Sequence, residues 1–138
     1  MGSFGYSQAT LRISGHTLIP EDVSKLLGCE ASATERLGQH IVGPRTGTVR
    51  VARTGLWRLQ ATRMEPEDLS GQIDELLGKL TSDMRAWATI RETCRIDLFV
   101  GLFMNSGNNG LSVSPAHLLA LGERGIELGL DVYDHSED

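Results

Sequence analysis

Aromatic side chains are few in this chain of 138 residues: two tryptophans, two tyrosines and three phenylalanines. Leucine, isoleucine and valine must therefore carry the core. Cysteine is as scarce. Cys29 and Cys94 form neither a CxxC motif nor a cysteine–histidine cluster, which removes the spacing signals of a zinc site or a redox motif. The plainer reading is two reduced, mostly buried thiols, and only geometry could license a Cys29–Cys94 bridge. Long apolar runs are missing. The longest, Leu98–Met104, falls far short of the roughly 20 residues a membrane-spanning helix needs. The N-terminal segment lacks the charged start and apolar stretch of a signal peptide. These absences predict a cytoplasmic protein without a membrane partner.

Acidic residues are absent from one long stretch. Between Arg36 and Met64 there are six arginines, Arg36, Arg45, Arg50, Arg53, Arg58 and Arg63, and no aspartate or glutamate. The whole chain is at −5, so the remainder carries seven basic against eighteen acidic side chains. Net acidity argues against general nucleic-acid affinity, which needs a positive surface. Residues 36–64 are instead the place to seek a small anion or an acidic partner.

Length and pattern predict a single α+β domain over residues 1–138, with residues 1–7 and 135–138 frayed. Ala9, Leu11 and Ile13 alternate with polar residues, as in a half-buried strand. Pro20-Glu21-Asp22 opens a short helix that Gly28 stops. Residues 29–47 read as irregular. Thr48–Arg53 and Leu56–Met64 are strands, paired as a hairpin or forming one bent strand. Pro66 opens the longest helix, with Leu69, Ile73, Leu76, Leu77 and Leu80 at helical spacing. Thr81-Ser82-Asp83 caps another. Ile96, Leu98, Val100 and Leu102 give the strongest strand. A turn at 106–110, a return strand Leu111–Val113, a helix after Ser114-Pro115 and a last strand through Leu128, Leu130 and Val132 complete the order. A mainly antiparallel sheet with helices packed on one face satisfies it, in a ferredoxin-like arrangement or an elaboration of one.

Several segments stand in a fixed order: Pro20-Glu21-Asp22 before a helix ending Leu27-Gly28, then Thr54-Gly55-Leu56-Trp57-Arg58-Leu59. The helix pair from Asp68, the strand Ile96–Met104 with Asn105, Gly110-Leu111-Ser112 before a helix ending Leu121-Gly122, and Leu130-Asp131-Val132-Tyr133 follow. Together they resemble the bacterial domain-of-unknown-function family 4279. The resemblance spans nearly the whole chain, departing in Ala31–Thr48, and implies a small cytoplasmic α+β domain. It supplies no activity, cofactor or catalytic residue.

Two surfaces emerge as candidate sites. Arg45, Arg50, Arg53 and Arg58 could hold a carboxylate or phosphate, because the planar guanidinium donates parallel hydrogen bonds. Arg45-Thr46-Gly47 and Arg53-Thr54-Gly55 repeat one tripeptide whose amides could add donors. The competing reading is neutralisation by the acidic helix from Glu65 to Glu75. The second surface is the outward sheet face, where Arg12, Arg58, Gln60, Arg95, Asp97, Phe99, Asp131 and Tyr133 fall together. Arginine and aromatic residues on one face suit a protein contact, against a plain solvated face. Trp57 and Trp87 read as core anchors. His16, His40, His117 and His135 share no ligand spacing, so no metal, cofactor or catalytic residue is expected.

Three functions compete. The first is a non-enzymatic domain that binds another protein, as immunity-type proteins do. The second is a sensor of, or enzyme on, a small anion or nucleotide, using the arginine segment. The third is a structural homodimer without a small ligand.

Overall fold

A computed structural model describes residues 2–135. Its central sheet has five strands: β1 (Tyr6–Gly15), β2 (Ala33–Glu35), β5 (Gly55–Gln60), β6 (Arg95–Phe103) and β7 (Glu127–Tyr133). Their order is β2-β5-β1-β6-β7. β1 runs antiparallel to both neighbours, and β2 runs antiparallel to β5. β7 is parallel to β6, which its crossover helix requires, since a tight turn can join only antiparallel strands. The structure is thus α+β with a mainly antiparallel sheet. A ferredoxin-like strand order is not established by it.

The four helices are α1 (Pro20–Leu27), α2 (Leu69–Gly78), α3 (Met84–Arg91) and α4 (Pro115–Glu123). Their ends obey local chemistry. Pro20 occupies the first turn of α1, and Gly28 ends it at φ 73°, a left-handed conformation that costs glycine no Cβ clash. Asp68, Asp83 and Ser114 cap α2, α3 and α4 by accepting backbone N–H bonds. Pro66 does not open α2. It lies in a cis peptide before the Asp68 cap.

Strand alternation sends Ala9, Leu11, Ile13, Trp57, Leu59, Ile96, Leu98, Val100 and Leu102 to one face, where they are buried with Val23, Leu27, Leu69, Ile73, Leu76, Trp87 and Ile90 of the helices. Trp57 and Trp87 are completely buried, and their indole N–H groups donate to Ser24 Oγ and the Thr81 carbonyl, each at 3.0 Å. Burying an indole without such a partner would be costly.

Four local expectations are revised. Residue 1 lies outside the described residues, and residues 4–7 do not fray: Phe4 is buried, Ser7 is fully buried, and Tyr6 already belongs to β1. Residues 136–138 of the expected C-terminal fray lie outside the described residues. Residues 29–47 are not irregular throughout, because they hold β2 and β3 (His40–Val42). β3 pairs with β4 (Val49–Val51) in a separate antiparallel hairpin, so β4 and β5 neither pair nor form one strand. Leu111–Val113 joins no ladder and remains an extended connection into α4.

Candidate functional site

All four helices of the described residues pack on the inner face, so the outer face is lined by outward side chains of the strands and by Arg63. Register places them in rows. At one end Tyr6, Phe103 and Tyr133 of β1, β6 and β7 lie side by side. The Tyr6 and Phe103 rings stack at 3.9 Å between centroids, Phe103 and Tyr133 at 4.6 Å, with interplanar angles of 10° and 6°. Arg63 closes the row, its guanidinium 3.9 Å from the Tyr6 centroid. Gly101, between Phe103 and Phe99 on the same face, makes room: a Cβ there would come within 3.2 Å of the Phe103 ring. Hydrogen bonding to Asp131, then that carboxylate's charge, hold the Tyr133 phenol above its ordinary pKa.

Three rows along lies charge. Arg58, Arg12, Asp97 and Glu127 sit opposite one another across β5, β1, β6 and β7. Arg12 donates from Nε to Asp97 Oδ1 at 2.9 Å and from Nη2 to Oδ2 at 2.6 Å, and lies 4.4 Å over the Phe99 ring. The paired carboxylate raises the Arg12 pKa. Arg95 reaches Glu127 at 3.0 Å. The structure therefore brings Arg12, Arg95, Asp97, Phe99 and Tyr133 onto one face with Arg58, although Tyr133 belongs to the aromatic end.

The other arginines follow a different geometry. β3, β4 and their turn form an arm between β2 and β5. Arg45 is exposed in the turn, where Gly43 N–H donates to the Thr48 carbonyl at 2.8 Å. Arg50 makes a two-pronged pair with Glu35 at 2.8 and 3.2 Å. Arg53 lines a recess at the base of the arm with Glu35, Arg50, Val51 and Thr54. The two Arg-Thr-Gly tripeptides fall at opposite ends of β4 and do not form one amide nest. Arg36 pairs with Glu21 and Arg63 with Glu65, so neutralisation comes from three separate elements. The arm also exposes apolar surface: Val42, Val49 and Val51 are 62%, 55% and 52% exposed.

Tyr6 and Arg63 are parts of the outer face that the strand alternations left out. Tyr6 shares the parity of Thr10 and Arg12, so extending that alternation by four residues finds it. Nothing in the sequence signals that Arg63 stacks on it. Cys29 and Cys94 are free, half-buried thiols. His117 Nε2 lies 2.8 Å from Asp74 Oδ1, joining α4 to α2. Among the described residues no three His, Cys, Asp or Glu side chains gather as a metal ligand set, and no helix is long and apolar enough to cross a membrane.

These features define a small α+β domain with helices on one side of its sheet and an arginine- and aromatic-rich face on the other. The chain belongs to the family described as Domain of unknown function (DUF4279), whose model matches residues 5–135. No curated protein and no solved structure matches it.

Proposed function

We propose that this chain is a non-enzymatic binding domain whose partner is another protein, engaged through the outer face of the sheet. One observation carries this reading: a face without helices holds four aromatic rings, three of them in a continuous stack, and an arginine lies against each end of the group. Arginine and aromatic side chains are the residue types that dominate contact energies between proteins, and rings gathered on an uncovered face favour a contact over simple solvation. A partner-blocking role of the immunity type extends this by analogy.

Affinity capture with immobilised wild-type chain and a Thr10→Lys, Gln60→Glu variant tests it. Both positions face outward as direct cross-strand partners, and opposite charges there can pair, so folding stability should stay close to wild type. A protein retained by the wild type and lost by the variant supports the reading. Equal retention by both overturns it. The homodimer reading is favoured by the exposed valines of the arm, and sedimentation as a monomer at micromolar concentration would remove it.

A further inference from the structure

A recess opens beside the charged row of the outer face. It has a volume of about 180 Å³ and is lined by Arg12, Ser14, Leu56, Arg58, Arg95 and Asp97. Three guanidiniums face one carboxylate. We propose that it binds a small oxyanion, a carboxylate or a phosphate, with Arg58 as the principal ligand. A carboxylate donated by a docking protein would make this the anchor of the face proposed above; a free anion would bind independently of that reading.

Four observations support the site. Arg58 stands directly opposite Arg12 across β5 and β1, and its other cross-strand neighbour is the uncharged Ala33. Like charges directly opposite in a sheet are destabilising, and among the described residues no carboxylate pairs with Arg58. Asp97 offsets part of that repulsion through its pair with Arg12, and an anion between Arg12 and Arg58 would offset the rest. Second, Arg12 is held in place. Asp97 engages two of its donors and Phe99 supports its plane, which leaves Nη1 for a ligand. Pre-set donors lose less freedom when a ligand arrives.

Third, among the described residues Arg95 is held only by Glu127, and the two side chains are 68% and 61% exposed. A pair so open to water is readily exchanged for another oxyanion. The Ser14 hydroxyl supplies a neutral donor on the same row as Arg95 and Leu56. Fourth, size selects the ligand. Sites for drug-sized molecules run to roughly 300–1,000 Å³, so this recess suits a phosphate or one carboxylate group rather than a nucleotide.

The test is NMR titration of the arginine side-chain Nε–Hε signals of the full chain, with inorganic phosphate, succinate and a short glutamate-rich peptide, at constant ionic strength. Arg58→Gln should fold normally, because the side chain is exposed, and should weaken binding about tenfold, the effect of losing a charge-assisted hydrogen bond. An Arg45→Gln, Arg53→Gln variant should bind as the wild type does. Shifts of the Arg12, Arg58 and Arg95 signals with phosphate assign a free-anion site. The same shifts with the peptide and succinate alone assign a carboxylate of a partner. No shift with any probe overturns the proposal, as does binding that survives Arg58→Gln undiminished. Neither of those results bears on whether a protein is captured through Thr10 and Gln60.

Discussion

The buried Ser7 hydroxyl donates to the buried Gln72 side-chain carbonyl at 2.7 Å. The Gln72 amide in turn donates to the backbone carbonyls of Ser7 at 3.0 Å and Thr62 at 2.9 Å. One polar side chain on the buried stripe of α2 thus ties the helix to the start of β1 and to the chain leaving β5. Gln72→Leu keeps the volume but leaves the Ser7 hydroxyl without its acceptor and the Thr62 carbonyl without the Gln72 donor, while the Ser7 carbonyl keeps the Met64 N–H at 3.2 Å. A buried polar group left unpaired costs about 1–3 kcal/mol, so the variant should lose about 2 kcal/mol in urea unfolding. The Ser7→Ala, Gln72→Leu pair should lose less than the sum of the single changes.

Gly101→Val should break the aromatic row. The new side chain would occupy the space over which the Phe103 ring lies. Stacked aromatic pairs contribute about 0.5–1.5 kcal/mol each beyond area burial, so stability should fall by about 1–2 kcal/mol. The near-ultraviolet circular dichroism of the tyrosines should change with it, while the far-ultraviolet spectrum stays.

The Arg12–Asp97 pair is geometrically good but sits on an open face, with the Arg12 side chain 38% exposed. Solvent screening should hold its coupling to about 1 kcal/mol or less. A double-mutant cycle with Arg12→Gln and Asp97→Asn reads that term directly.

Glu75 on α2 sets an acid limit to stability. Burial tends to raise its pKa, but hydrogen bonds from the Thr62 amide and hydroxyl, with Lys79, outweigh this and leave it below the ordinary glutamate value. Its stabilisation is therefore complete above the unfolded value and disappears as pH falls through the lowered folded one. Thermal melts across that range should show a downward limb that Glu75→Gln flattens.

Val49→Thr and Val51→Thr on the arm should leave stability within about 0.5 kcal/mol of wild type, as exposed substitutions usually do. If the arm mediates self-association, sedimentation of the double variant should shift toward monomer. An unchanged distribution would remove the arm from any dimer contact.

Local punctuation was legible in the chain. Pro20 and Gly28 bracket α1, and Asp83 and Ser114 cap where their side-chain chemistry predicts. The parity of β1, β5 and β6 correctly put Arg12, Arg58, Asp97 and Phe99 on one face. Pairing was not legible, because it depends on contacts distant in sequence. β6 and β7 read as ordinary strands, and nothing local states that they run parallel. Of the arm, β4 was legible in the strand read over Thr48–Arg53, but its partner was not: β3 is three residues long and mostly exposed, so burial imposes no pattern that marks it. Gln72 was legible in hindsight, since it falls three residues after Leu69 and four before Leu76, on the apolar stripe.

The sheet ends on two unequal strands. β2 offers three residues, too few to guide another chain, whereas β7 offers seven and is paired along one side only. A second molecule could therefore be templated at β7, where Leu130 and Val132 are half exposed. Glu127, Asp131 and Asp134 are spaced along that strand and its exit. They set like charge against like charge whenever two such strands approach, which is how unavoidable apolar strands are kept from polymerising. Three carboxylates that take no part in holding the core together thus stand guard along the longest open edge of the sheet.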